Sequence, residues 1–234
     1  MSDASQFAMV TGAGSGIGRA IAIALMRHSI HVTLVGRDTA KLTRTAAGAP
    51  ADRATIVAAD LATEGGIAAA ASNAARLHIL VHAAGQYLQT PTTQMTAEAW
   101  SALDSVNLHA PILLTNACLP QLRASSGQVV FINSSASLRG GPNIAAYAAG
   151  KRGLQAAVEI LRQEINRDGI RVLSIYPGRT DTPMQQAILA SEGRTAEPGQ
   201  LMQPDDIAAM VLAALQLSRN SEVTDIFMRP MRPL

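Results

Sequence analysis

The sequence predicts an α/β protein: a doubly wound, seven-stranded parallel sheet flanked by helices on both faces. Two observations carry this expectation. Short apolar runs alternate with alanine-rich segments of helical period from end to end, the order of repeated βα units rather than of a sandwich or a bundle. The first run also ends in "TGAGSGIG" at 11–18, a glycine cluster where a strand would turn directly into a helix. At 234 residues the chain falls within the range of one α/β domain, so a single unit over 1–234 is expected.

Strands are expected at 7–11 ("FAMVT"), 31–36 ("HVTLVG"), 54–60 ("ATIVAAD"), 78–83 ("HILVHA"), 128–134 ("QVVFINS"), 171–177 ("RVLSIYP") and 222–228 ("EVTDIFM"). Helices are expected near 16–28, 38–47, 63–76, 96–123, 145–167 and 204–218, where apolar residues recur at three- and four-residue spacing. The last of these opens on Pro204, Asp205 and Asp206. Proline fits a first helical turn, and acids favour the positive end of the helix dipole. Residues 184–203 carry no clear period, and "SEGRTAEPGQ" within them reads as a mobile loop, so this segment is expected to be a lid over a substrate site.

Hydrophobic residues make up 48% and charged residues 15%, which excludes a disordered chain. The net charge is +2 and the arginines stand singly among acids, so there is no basic stripe for nucleic acid. "MSDASQFAMVTG" has no basic leader before a long apolar core. The longest uncharged stretch, 105–122, is broken by Asn107, His109, Pro111, Asn116 and Pro120, which a bilayer core excludes. The lone Cys118 cannot form an intrachain disulfide and reads as helix core. A cytoplasmic protein with neither a membrane nor a nucleic-acid partner is expected, and no metal site.

The glycine cluster lacks strict G-x-G-x-x-G spacing, because Arg19 stands where the third glycine would fall. What it carries is T-G-x-x-x-G-x-G, through Thr11, Gly12, Gly16 and Gly18, with Ser15 and Ile17 inside. Glycines there let the chain turn sharply and bring backbone close to a pyrophosphate, at which the helix amides point. The reader of the adenosine ribose should follow the second strand. Gly36 is followed there by Arg37, whose fork of donors suits a 2'-phosphate, so NADP(H) is expected over NAD(H); Asp38 beside it is the feature that would favour NAD.

The chain has three tyrosines and only two lysines, Lys41 and Lys151, and one of each stands in "YAAGK" at 147–151. Tyr147 and Lys151 are four apart, so a helix puts them on one face. Moving a phenol from about 10 to about 7 takes roughly 4 kcal/mol. A positive charge about 4 Å away supplies roughly that at an effective dielectric of about 20.

"TGAGSGIG", "AADLA" at 58–62, "HAAG" at 82–85, Asn107, Ser134, "YAAGK" and "YPGRTDTPM" at 176–184 follow in order, with thirteen residues from Ser134 to Tyr147. Together they resemble the short-chain dehydrogenases/reductases, single-domain enzymes of Rossmann fold, over almost the whole chain. The resemblance implies that Tyr147 is the general acid toward a carbonyl, or the base toward an alcohol. Lys151 would lower its pKa and bond the nicotinamide ribose. Ser134 would hold the substrate oxygen, and Asn107 a water that links the lysine to solvent. Asp60 and Leu61 would lie along the adenine, and Ala84 and Gly85 under its ribose. Pro177, Gly178, Thr180 and Thr182 would hold the nicotinamide end.

The family's usual "NNAG" is replaced by "HAAG" here, and His82 reads as a structural residue. The substrate pocket is expected to be built from 86–89, 135–143 and the loop after Pro183. The implied activity is NADP-dependent interconversion of a carbonyl compound and its secondary alcohol, in a homo-oligomer, a tetramer by the family's habit. Two other readings are carried. One is an acyl-carrier-protein-linked 3-ketoacyl reductase, with Arg123, Arg139, Arg152 and Arg179 as its docking patch. The other is a non-catalytic NADP-binding regulatory protein, in which the tyrosine or lysine would be dispensable.

Overall fold

A computed structural model describes residues 6–232. The first five residues of the stretch read against a leader lie outside it. Seven strands, β1 (Phe7–Thr11), β2 (His31–Gly36), β3 (Ala54–Ala58), β4 (Ile79–His82), β5 (Gln128–Ile132), β6 (Arg171–Pro177) and β7 (Asp225–Met228), form one sheet in the order β3-β2-β1-β4-β5-β6-β7. Every neighbouring pair is parallel. The chain winds outward from β1 to β3, then crosses over to β4 on the other side of β1. That reversal opens a crevice at the carboxyl ends of β1 and β4, where ligands bind in sheets of this kind.

Eight helices cover the sheet: α1 (Gly16–Arg27), α2 (Thr39–Ala46), α3 (Glu64–Ser72), α4 (Ala97–Asp104), α5 (Ala110–Ser125), α6 (Ala145–Ile165), α7 (Pro183–Ser191) and α8 (Pro204–Leu215). Alternation along the strands builds two cores. Ala8, Val10, Ile79, Val81, Val130 and Ile132 meet α1, α2 and α8 on one face. Met9, Leu80, Val129 and Phe131 meet α3, α5 and α6 on the other. Both faces of the sheet are therefore dry, which is why its strands read as continuous apolar runs.

Two expectations are corrected. The single helix over 96–123 is interrupted by a π-helical turn, Ser105–His109, between α4 and α5. The cause is legible in the chain: Pro111 has no N–H to give the carbonyl of Asn107 four residues earlier, so the ladder must widen there. The segment 184–203 was read as patternless, yet its first part belongs to α7. Thr182 caps α7 by accepting from the Gln185 N–H at 3.1 Å, and Pro183 occupies the first turn.

His82, at the end of β4, is buried with its ring stacked on Phe131 at 4.8 Å and its Nε2 against Thr115 Oγ1 at 2.8 Å. Burial, reinforced by the charge of Lys151, lowers its pKa from 6.5 to about 3. Protonation thus favours the unfolded chain: this contribution to stability is complete above pH 6.5 and is lost as pH falls toward 3. Between about pH 6.5 and 4.5 the loss from this ring is about 2 to 3 kcal/mol, at 1.36 per unit. Urea unfolding over that range should show a slope flatter by this amount in His82→Asn; equal slopes would mean the ring protonates without cost.

Candidate active site

Gly12 and Gly16 adopt left-handed backbone, with φ of +65° and +52°. A Cβ at Gly12 would stand 2.7 Å from the Ala84 nitrogen, and one at Gly18 would collide with the Gly12 carbonyl. Side chains are thus excluded where α1 meets the sheet. The first turn of α1 holds no acid and Ser15 makes no side-chain cap, so its leading amides are open to an anion. This cradle fits the pyrophosphate of a dinucleotide.

Beside it, the loop after β4 is pinned from two sides. Thr11 Oγ1 accepts from the Ala83 and Ala84 N–H groups at 3.1 and 3.2 Å. Asn107 is buried, and its side-chain amide pairs with both backbone groups of Gln86, at 3.0 and 2.9 Å. The amide implied to serve a water is therefore occupied by backbone. Gly85 lies between, its missing Cβ 3.3 Å from Asn107 Oδ1 and 3.9 Å from Lys151 Nζ.

Three hollows run along the carboxyl ends of the strands as one trough. The first, of about 200 Å³, holds Arg37, Asp60 and Leu61, and shares Gly12, Ser15, Ala84 and Gly85 with the second. That one, of about 190 Å³, adds Gly16, Gly18 and Lys151. It shares Ile17, Asn133, Tyr147 and Thr182 with a third of about 360 Å³, which holds Ser134, Pro177, Gly178 and Thr180. Every residue assigned above to cofactor or chemistry, apart from Asn107, lines this trough.

At the first hollow Asp38 caps α2, accepting from the Lys41 N–H at 3.0 Å, and its other oxygen lies 3.6 Å from Lys41 Nζ. That backbone bond, foremost, lowers its pKa. Arg37 is exposed and in no ion pair among the described residues. Lys41, which the sequence reading did not assign, lines the same hollow. Asp60 turns the chain into α3, its carboxylate accepting from the Ala62 N–H at 3.0 Å, while it borders the hollow.

Ser134 Oγ caps a short 3-10 turn by accepting from the Ala136 N–H at 3.1 Å, and its hydroxyl lies toward the Tyr147 phenol. Tyr147 and Lys151 occupy the first two turns of α6. Lys151 is 4% exposed, and its ammonium donates to the Ile132 carbonyl at 3.0 Å. Burial lowers its pKa to about 8. The phenol was expected to be lowered by this lysine, and the structure has the opposite sign. Burial raises Tyr147 above its ordinary 10, with the Ser134 hydroxyl opposing and Tyr87 adding to the rise. In the protein alone, desolvation sets the direction for the phenol, while the Lys151 ammonium is held on β5.

The third hollow shows contacts that the sequence did not reveal, among them a pairing that turns Arg179 away from the role of a docking residue. Tyr87 meets Tyr147 edge-on, with ring centroids 5.1 Å apart. Arg179 and Glu192 are its only charged lining residues, and they pair bidentately at 3.0 and 2.8 Å. Nothing in spacing alone joins residues thirteen apart across a loop and a helix; only the fold does.

The family model for short chain dehydrogenases matches residues 6–193. An uncharacterized oxidoreductase of Staphylococcus epidermidis is 32% identical over 231 residues, covering 96% of each chain. A metagenomic short-chain oxidoreductase solved in complex with NADP superposes with a TM-score of 0.82 at 32% identity, covering 99% of this chain and 100% of that one. A 3-oxoacyl-(acyl-carrier-protein) reductase from Agrobacterium tumefaciens with NADP bound gives a TM-score of 0.84 at 26% identity, over 96% and 93%.

Gly18→Ala should abolish dinucleotide binding or the fold itself, since its methyl meets backbone that cannot yield. Gly65→Ala, with nothing within 4 Å, is the matched control and should bind as wild type in a fluorescence titration.

Proposed function

The chain belongs to the short chain dehydrogenase family and is an NAD(P)-dependent oxidoreductase, and on that premise we propose that it prefers NADP(H) and reduces a small carbonyl compound to its secondary alcohol, with Tyr147 as proton donor. The observation that carries this reading is the convergence of Ser134, Tyr147 and Lys151 where the dinucleotide trough opens into the third hollow. When bound, the nicotinamide supplies the hydride.

The chain's own residues do the rest. The α1 amides and the glycine turn receive the pyrophosphate. Lys151, tethered to Ile132, stands in the middle hollow beside Gly85, a position that supports its bonding the ribose. The Ser134 hydroxyl donates to the substrate oxygen as its charge develops. Tyr147, kept protonated by burial, delivers its proton to the same oxygen. The protonated phenol is the form that donates in reduction, and its phenolate is the form that would accept the proton in the reverse oxidation.

The NADP preference is supported by the disposition of charge at the first hollow. Asp38, the residue that would bond both hydroxyls of an unphosphorylated ribose, is already engaged by Lys41. Arg37 is left free, and Lys41 adds a second cation.

The carrier-protein reading finds little support in its arginines. Arg123 pairs with Asp168 at 2.7 Å, near the amino ends of β5 and β6 and so at the opposite end of the strands from the trough. Arg179 is paired inside the cavity. Retention of the tyrosine, lysine and serine in one hollow supports an enzyme over a regulatory protein. No helix among the described residues is long and apolar enough to cross a membrane. The exposed Leu113 on α5 and Ile160 on α6 support a homo-oligomer, which we take to be a tetramer.

Tyr147→Phe should lower kcat by about 100-fold or more with NADPH binding retained; turnover near wild type would remove the tyrosine from its role. Arg37→Ala should weaken NADPH by about 10- to 100-fold, the worth of a charge-assisted hydrogen bond, and leave NADH nearly unchanged. Lys41→Ala should shift the same ratio in the same direction. Equal losses for both cofactors would end the 2'-phosphate assignment.

A further inference from the structure

Two amide nitrogens in the wall of the third hollow lack a partner among the described residues. Asn133 and Gln185 line it at 4% and 8% exposure, and Asn133 Nδ2 and Gln185 Nε2 are buried donors with no acceptor among the described residues. Ser134 and Tyr147 bring two more donors, and a simple ketone offers one oxygen that these two already claim. Buried donors left unpaired cost free energy, and rotation of either amide toward the hollow would give it a partner on a substrate that carries more than one acceptor atom.

The charges in the hollow point the same way. Glu192, at the end of α7, lies between two arginines: bidentate with Arg179 inside the cavity, and 4.0 Å from the more exposed Arg194 outside. Arg194 is not part of the lining, so the hollow is charge-balanced while Glu192 holds Arg179, and it carries one unmatched cation once Glu192 turns to Arg194. The planar fork of an arginine accepts one carboxylate as readily as another. Tyr87 links this group to the reacting end: its ring edges Tyr147, and its phenol feels the charges of both Glu192 and Arg179.

We propose that Arg179 is the receptor for an anionic group of the substrate and that Glu192 holds that receptor in the bare enzyme. A carbonyl compound bearing a carboxylate takes the place of Glu192 on Arg179, and Glu192 passes to Arg194. Arg179 is thereby a specificity-determining residue and its ion pair an internal stand-in for the ligand. The substrate class is an oxo acid, reduced at its ketone. This rests on the carbonyl reduction proposed above.

The test measures kcat/KM with NADPH for 2-, 3- and 4-oxopentanoate against their methyl esters. Wild type should prefer at least one acid over its own ester by tenfold or more. Arg179→Gln should reduce that ratio at least tenfold, chiefly through KM, and Glu192→Gln should raise it by vacating the arginine. Ratios near one for all three pairs in wild type would overturn the proposal. So would variants that shift acid and ester alike, since the ion pair would then only fasten α7. If Arg179→Gln fails to fold, Glu192→Gln decides alone by the same ratio. Should no compound turn over, or should turnover survive Tyr147→Phe, the carbonyl-reduction reading fails by itself. Calorimetric binding of the same acids and esters, with NADPH present, then decides on Arg179: acid binding lost in Arg179→Gln upholds it, and equal binding of acid and ester overturns it.

Discussion

The site depends on how the loop leaving β4 is held. That loop passes the crevice where the winding of the sheet reverses, and its own backbone is irregular, so nothing in the ladder fixes it. Thr11 fixes one side by accepting two of its N–H groups, and Asn107 fixes the other by pairing with Gln86. With the loop fixed, the glycine turn can approach it to a separation at which no Cβ fits, and the floor of the trough becomes continuous from Arg37 to Tyr147. The π turn belongs to the same arrangement, because it occurs in the element that carries Asn107 to the loop.

Burial dominates the electrostatics of the centre. Tyr147, Lys151 and His82 all shift away from their charged forms, and in each case loss of hydration is the largest cause. The lysine remains useful because the Ile132 carbonyl gives its ammonium a partner without a countercharge. A carboxylate there would hold the lysine charged and quench its field. A neutral acceptor leaves the field available to whatever enters the trough.

Much of this was legible in the chain, and the reasons for the exceptions are physical. Period and glycine chemistry are local properties, so the strand sequence, the cradle and the tyrosine and lysine on one helical face could be read from spacing. The bounds of α4 and α5 could not, because helical period persists through a widened turn; the relevant signal was Pro111 four residues after Asn107. For α7 the apolar pattern was weak, and the Thr182 and Pro183 start was the better guide. The sign of the phenol's shift was beyond reach, since it depends on where the lysine's head lands and how much water the ring loses. The pairing of Arg179 with Glu192 likewise exists only once α7 folds back over the cavity.

The scarcity of lysine has a practical side. One of the two is 4% exposed and hydrogen-bonded within the trough, while the side chain of Lys41 stands about half exposed at the first hollow. An amine-directed label added to the folded protein would thus divide the two lysine side chains, reaching Lys41 at the rim of the first hollow and sparing Lys151. One lysine offers a chemical handle on the first hollow while the other stays shielded in the second.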